Sequence, residues 1–322
     1  MKALVYTGIG HLEMQEKPKP EADFIVKVLG CGICGTDLKT YQKGHHFFPP
    51  PAVLGHEFFG LVEKASPESG YSIGDPVVVA PYAECGTCPR CRAGAGTLCR
   101  NKSFVDGGAF CEYVGIPADY VSTGVFRIPL IDDSFSLVEP LACVLNGFEH
   151  LKLREGSKAL VVGSGPMGAL FALVFRAQGV PVTVVEPGAM RREKVASWGI
   201  DAREPGDLAA GEYDNIVIAV NKKELVSDYV KAVADAGTVL MFSGLSKEEI
   251  VAIDAYAIHY REVSLTGSFG YAMRHFRKAL ALITDHREMF SQVITHRMPL
   301  EEGTAAFNLL ASGQAFKIIL KP

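Results

Sequence analysis

Lys158-Ala-Leu-Val-Val162 runs directly into Gly163-Ser-Gly165-Pro166-Met167-Gly168, then an apolar stretch over residues 169–178, then Pro181-Val-Thr-Val-Val185-Glu186. The first piece is a short continuous apolar run, the pattern of a strand buried on both faces. The third has the length and composition of a buried helix and stops at Gly179, and the fourth is a second buried strand ending on an acid. A glycine triplet alone carries little weight. In the order strand, Gly-x-Gly-x-x-Gly, helix, strand, acid it predicts a dinucleotide-binding unit. Gly163, Gly165 and Gly168, with Pro166 and Met167 among them, would let the backbone approach a pyrophosphate resting on the positive end of the helix. Glu186, 18 residues beyond Gly168, is placed to accept hydrogen bonds from the adenosine ribose hydroxyls. Its charge opposes a 2′-phosphate, which favours NAD over NADP. Arg191 and Arg192 follow closely, and either can blunt that opposition.

Downstream the same texture continues. Residues 213–219, 237–242 and 263–267 read as strands and 223–234 as a helix between them, an alternation that builds a doubly wound parallel sheet. Residues 273–283 and 300–312 read as helices, and Phe316-Lys-Ile-Ile-Leu320 as a closing strand. Upstream the reading changes. Residues 2–6, 24–29, 58–63 and 77–80 are short strand patterns punctuated by Pro18-Lys19-Pro20 and Gly74-Asp75-Pro76, which predicts a mostly β domain over roughly residues 1–135.

A chain of 322 residues is long enough for two domains, since single cores stop growing near ~250–300 residues. Net charge −4 and pI ≈ 6.2 give no basic surface for nucleic acid. Met1-Lys2-Ala3-Leu4-Val5-Tyr6 is followed by Gly8 and Gly10 rather than by the apolar core of a signal peptide, so a cytoplasmic protein is expected. The longest apolar region, 159–185, is interrupted by Gly163, Gly165, Gly168, Arg176, Gly179 and Pro181, too often for a membrane span.

Six of the eight cysteines lie in the first hundred residues, and their spacing matters more than their number. Cys85-Gly-Thr-Cys88-Pro-Arg-Cys91 followed by Cys99 matches a closed tetrahedral zinc site that staples a loop poor in apolar residues. A nucleic-acid zinc ribbon is the rival reading of that cluster, and the acidic net charge speaks against it. Gly32-Ile33-Cys34-Gly35-Thr36-Asp37 with Gly55-His56-Glu57 supplies a thiol, an imidazole and a carboxylate, the donors of an open, catalytic metal site. Asp37 has two readings here, orienting a metal ligand or capping a helix that starts at this point.

Taken in order, the Cys34/His56/Glu57 motif, the four-cysteine lobe and the nucleotide fingerprint resemble the zinc-containing medium-chain dehydrogenase/reductases, the alcohol and polyol dehydrogenase superfamily, over essentially the whole chain. Glu139-Pro140-Leu141-Ala142, His259-Tyr-Arg-Glu262, Gly267-Ser-Phe269 and Ile294-Thr-His-Arg297 resemble its sorbitol, threonine and sugar-phosphate dehydrogenase branch. The resemblance implies an α/β fold: a GroES-like, mostly β catalytic domain from residues 1–140 and 270–322, and a Rossmann doubly wound parallel sheet domain over 141–269 that binds NAD. It implies two zinc ions per chain. Cys34, His56, Glu57 and Glu139 would hold the catalytic one, Cys85, Cys88, Cys91 and Cys99 the structural one, and Thr36 would take the substrate proton. A homodimer or homotetramer joined through the Rossmann domains is also implied. In many relatives a histidine stands three residues after the relay hydroxyl. Here that position is Lys39, so the outer relay departs from the pattern, and His45 or His46 is the candidate to replace it. Cys31, Cys111 and Cys143 match no ligand position and read as small core residues.

The leading expectation is therefore a zinc-dependent oxidoreductase that turns a secondary alcohol of a polyol, sugar or cyclitol into a ketone, with hydride transfer to NAD. An alternative substrate is a phosphorylated or otherwise anionic polyol contacted by Lys39 or His45. An alternative of another class is a non-catalytic nucleotide-binding scaffold that kept the fold and the structural zinc.

Overall fold

The computed structural model describes residues 1–206 and 208–322. It divides into two compact units, one made of Met1–Ala142 with Tyr271–Pro322 and the other of Cys143–Gly270.

The first unit is built on a seven-stranded sheet. Six of its strands run in the order Val125–Arg127, Pro76–Val79, Glu57–Lys64, Phe24–Gly32, Lys317–Lys321, Ile294–Pro299, and Tyr113–Ile116 also pairs with Phe24–Gly32. Neighbouring strands are antiparallel except the last pair, Lys317–Lys321 with Ile294–Pro299, which is parallel. Phe24–Gly32 is the hub. It pairs with Glu57–Lys64 so that Gly32 faces Glu57, and with Lys317–Lys321 so that Gly32 faces Ile319. Four of the five residues of Lys317–Lys321 are buried, as a strand with neighbours on both edges and cover on both faces requires. A smaller sheet of His11–Glu16, Lys2–Gly8 and Ala52–Val53 packs the chain's first residues.

The second unit is a six-stranded parallel sheet in the order Asp201–Arg203, Val182–Val185, Ala159–Val162, Asn215–Ile218, Thr238–Met241, Ser264–Gly267. Numbered along the chain this is 3-2-1-4-5-6, the doubly wound Rossmann order. Leu160, Val162, Val185, Ile216, Ile218 and Val239 form much of the core on one face. The helix Pro166–Ala177 is buried along Gly168–Phe175, which is why residues 169–175 are all apolar. It opens with Pro166 in its first turn behind Gly165 as N-cap, where a missing N–H costs nothing. Gly168 is forced by packing: a Cβ there would stand 1.9 Å from the carbonyl oxygen of Gly163.

Among the described residues no helix is long and apolar enough to cross a membrane.

Candidate functional site

Cys34 and His56 are 22 positions apart in sequence and meet because of strand register. Pairing of Gly32 with Glu57 sets the end of one strand beside the start of the next. Cys34 lies two residues past the first, and His56 immediately precedes the second. Cys34 also caps the helix Gly35–Lys43: its Sγ accepts from the Thr36 N–H at 3.5 Å, while its own N–H donates to Asp37 Oδ2 at 2.9 Å. The other carboxylate oxygen, Asp37 Oδ1, accepts from the Gly55 N–H at 3.2 Å and lies 3.4 Å from His56 Nδ1. Asp37 is buried, so one carboxylate both closes the helix end and orients the imidazole, leaving Nε2 of His56 as its donor. Burial works against a charged His56, but the carboxylate of Asp37 and the thiol of Cys34 outweigh it and raise its pKa well above the usual value.

Donor atoms of Cys34, His56 and Glu57 all lie within 4.8 Å of one another. Thiolate, imidazole and carboxylate at this separation suit a zinc ion with room for a further ligand. Glu139, in the first turn of the helix Val138–Phe148, is buried beside them but outside that 4.8 Å group. Burial pushes its pKa up to about 7, with His56 and Lys317 pulling down and Glu57 and Asp37 pushing up. Thr36 is exposed in the first turn of Gly35–Lys43, the helix that Cys34 caps.

Lys317 was not visible as a site residue from sequence. Its Nζ donates to Glu57 Oε2 at 2.6 Å, to Glu57 Oε1 at 2.8 Å and to the Ile33 carbonyl at 3.1 Å. The available signal was one lysine inside the apolar run Phe316-Lys-Ile-Ile-Leu320, since a charge on a buried strand demands a partner.

The second cluster is Cys85, Cys88, Cys91 and Cys99, again within 4.8 Å of one another. Sulfur–sulfur distances are 3.5 Å for Cys88–Cys91 and Cys85–Cys99, 3.8 Å for Cys88–Cys99 and 4.0 Å for Cys85–Cys91. Four sulfurs about 2.3 Å from one tetrahedral zinc would stand roughly 3.8 Å apart, so the cluster fits that ion closely. Backbone N–H groups of Thr87 and Cys88 lower the Cys85 pKa to about 6, favouring the thiolate that binds metal. The lobe is fastened to the start of the helix Met273–Asp285. Both oxygens of Glu84 accept from the Met273 N–H, at 2.9 and 3.1 Å, and Arg274 donates to the Gly94 carbonyl at 3.1 Å. The rings of Tyr82 and Tyr271 stack at 4.4 Å.

At the nucleotide fingerprint, the position a Gly165 Cβ would take faces open space, the clearance a pyrophosphate on this turn requires. Gly163 and Gly168 bracket the turn, with Pro166 and Met167 opening its helix. Glu186 is buried at the end of Val182–Val185. Its Oε2 accepts from the Ser164 N–H at 2.9 Å and the Ser164 hydroxyl at 3.0 Å, and its Oε1 accepts from the Gly188 N–H at 2.9 Å. The carboxylate thus ties the glycine turn to the second strand. Arg191 and Arg192 both lie on the helix Ala189–Ser197, and Arg192 donates to the carbonyls of Glu186 and Pro187 and pairs with Glu204.

Lys39 is exposed on Gly35–Lys43 and makes no ion pair among the described residues. The rings of His45 and His46 stack at 4.9 Å. Burial, then the charges of His46 and Lys39, lower the His45 pKa. Cys31 and Cys111 are buried, as small core residues should be, whereas Cys143 is only half-buried.

The Alcohol dehydrogenase GroES-like domain family matches residues 20–129, and the Zinc-binding dehydrogenase family matches residues 166–285. The chain is similar to the Sorbitol dehydrogenase of Halalkalibacterium halodurans at 30% identity, with 100% of this chain and 99% of the relative covered. It is similar to the D-altritol 5-dehydrogenase of Agrobacterium fabrum at 30% identity, with 94% of each covered. Among solved structures, a candidate zinc-binding dehydrogenase from Sinorhizobium meliloti 1021 bound to NADP superposes with a TM-score of 0.89 at 29% identity, with 100% of this chain and 99% of that one covered.

Proposed function

The chain belongs to the zinc-containing medium-chain alcohol and polyol dehydrogenases, and from that premise we propose that it oxidises a secondary alcohol of a polyol, sugar or cyclitol to a ketone, using NAD in preference to NADP. The observation that carries the reading is the convergence of Cys34, His56 and Glu57 donor atoms within 4.8 Å. Residues 1–140 and 270–322 serve as the catalytic domain and 141–269 as the nucleotide domain. Zinc, when bound, supplies a Lewis acid that eases loss of the alcohol proton, and the nicotinamide supplies the hydride acceptor.

The protein's own groups do the rest. Cys34 and His56 hold the catalytic metal, with Glu57 and Glu139 as the carboxylates of the same sphere. Asp37 fixes the imidazole of His56. The Thr36 hydroxyl accepts the substrate proton and passes it outward. Burial raises the Glu139 pKa to about 7 in the absence of a metal, and a bound zinc would favour its carboxylate form. Cys85, Cys88, Cys91 and Cys99 hold a second, structural zinc. In the nucleotide domain Gly163–Gly168 receives the pyrophosphate. Glu186 favours NAD because its buried charge, fixed by Ser164 and Gly188, would face a 2′-phosphate. Arg191 is the nearby cation that sets how strict this preference is.

The eight cysteines are all free, consistent with a reducing, cytoplasmic setting. A homodimer or homotetramer through the nucleotide domain is supported by its exposed Tyr256, Ile258 and Tyr260 and by Ser264–Gly267 at one edge of the sheet.

A panel of polyols and sugars, followed by NADH or NADPH absorbance with both cofactors in parallel, tests the reading. The expected outcome is turnover of a secondary polyol alcohol with NAD and two zinc ions per chain by ICP-MS. Turnover without zinc, or full activity in Cys34→Ala, would sink the mechanism. Nucleotide binding with no turnover across the panel would favour the scaffold alternative.

One observation favours a second substrate reading. Lys39 brings one positive charge, and His45 and His46 bring ring nitrogens, near the helix that Cys34 caps, and none of them has a carboxylate partner among the described residues. A phosphorylated or carboxylated polyol would supply one. Kinetics on matched neutral and anionic polyols separate the two readings.

A further inference from the structure

Glu186 follows the strand Val182–Val185 as a buried carboxylate, and its acceptor positions can be accounted for one at a time. An ionised carboxylate offers about four, two on each oxygen. Oε2 accepts from the Ser164 N–H at 2.9 Å and from the Ser164 hydroxyl at 3.0 Å, so both of its positions are taken. Oε1 accepts from the Gly188 N–H at 2.9 Å and from no other group among the described residues. One position on Oε1 is therefore open. The local sequence keeps it so. Pro187 brings no N–H of its own, and a Cβ on Gly188 would stand 3.1 Å from Oε1, close enough to crowd any approaching donor. Ser164 is fully buried within the glycine turn, and the N–H of its neighbour Gly163 donates to the Val185 carbonyl at 2.8 Å. The hydroxyl that fills Oε2 is thus held by the turn itself, next to the strand that carries Glu186.

We propose that Ser164 is a positioning residue for nucleotide recognition: its hydroxyl saturates Oε2 and leaves Glu186 to read one adenosine ribose hydroxyl, through Oε1, rather than the 2′ and 3′ pair. The inference rests on the proposed reading of Glu186 as the acid that faces the ribose. A site built to bond a hydroxyl discriminates strongly against the analogue that lacks it, whereas a hydroxyl with no acceptor waiting adds little. Loss of the Ser164 hydroxyl frees a position on Oε2 for the second ribose hydroxyl.

Isothermal titration of the full-length protein with NAD and with its 2′-deoxy and 3′-deoxy adenosine-ribose analogues tests this without any need for turnover. In wild type one analogue is expected to bind about tenfold more weakly than NAD, as loss of a hydrogen bond to a charged group implies, and the other within about twofold. In Ser164→Ala both analogues should bind more weakly than NAD, and in Glu186→Ala the difference between the two should vanish. Equal losses with both analogues in wild type would mean that the carboxylate takes both hydroxyls despite Ser164, and that result overturns the proposal. So does a one-sided pattern that survives in Ser164→Ala. If Ser164→Ala does not fold, Ser164→Cys takes its place, because a thiol is the weaker donor; the same change in smaller measure is expected, and no change counts against the idea. Wild-type protein that binds NAD and both analogues alike, or that fails to bind NAD, would overturn the ribose reading of Glu186 itself, and this inference with it. A one-sided pattern that persists in Glu186→Ala would do the same.

Discussion

Asp37 answers to both of its sequence readings because a carboxylate has two oxygens. One caps the helix Gly35–Lys43 through the Cys34 N–H, and the other faces the Gly55 N–H and His56 Nδ1. Sequence spacing made each role plausible, and nothing in it could show that a single side chain reaches both. Asp37→Ala should weaken metal binding about 10–100-fold, the usual cost of losing such an orienting partner, measured by chelator competition. Lys317 is the opposite case, a residue whose one sequence signal is its place inside the apolar run Phe316-Lys-Ile-Ile-Leu320. In metal-stripped protein, Lys317→Met should lower stability by about 3–5 kcal/mol in urea unfolding, because a buried carboxylate is left without its counter-charge. The loss should shrink at saturating zinc, which supplies that charge. Its pH dependence follows from the direction of the shift. Burial lowers the Lys317 pKa, but Glu57 overrides it and raises it above 10.5. The stabilisation is then complete below 10.5 and fades only as pH climbs through the raised value. Lys317→Met should accordingly cost the same across neutral pH.

At the scale of elements, periodicity found what packing made periodic. The buried strands Ala159–Val162, Val182–Val185 and Thr238–Met241 were legible because both faces are covered. His11–Glu16 was missed: it is an edge strand with no fully buried residue, and its His, Glu and Gln residues carry no core signal. Ile294–Pro299 was missed for a related reason, since only Ile294 in it is buried. The helix expected over 300–312 begins as a short 3-10 turn, Leu300–Glu302, before Gly303–Ala311. Glu84 belongs at this scale too. It was unremarkable beside Cys85 in sequence, yet it satisfies the first N–H of the helix Met273–Asp285 with both oxygens. Glu84→Ala should cost about 0.5–2 kcal/mol, the range for losing a helix cap. Hydrogen exchange should quicken at the amides of Met273 and Arg274. Stripping the four-cysteine lobe of metal should quicken the same amides even with Glu84 intact, because the lobe is what carries the cap.

For the whole molecule, the fold class was legible from three motifs in order, because each is local: a glycine turn, a thiol cluster, a Cys-Gly-Thr-Asp segment. The candidate site was legible only in part, because it is assembled by pairings between distant segments. Gly32 facing Glu57 brings His56 to Cys34, and Ile319 facing Gly32 brings Lys317 to Glu57. No local pattern encodes either register.

The central place of Lys317–Lys321 in its sheet has a consequence for biosynthesis. The unit Cys143–Gly270 is one contiguous segment and can close as soon as it has left the ribosome. The other unit cannot, because the strand that flanks its hub, Lys317–Lys321, is translated only after that segment. Until then the Cys31–Gly32 end of Phe24–Gly32 keeps one edge open, and Glu57 lacks its lysine. Nascent chains arrested short of residue 317 should therefore yield a protease-resistant fragment from 143–270 while 1–142 is digested. Release of the full chain should protect both.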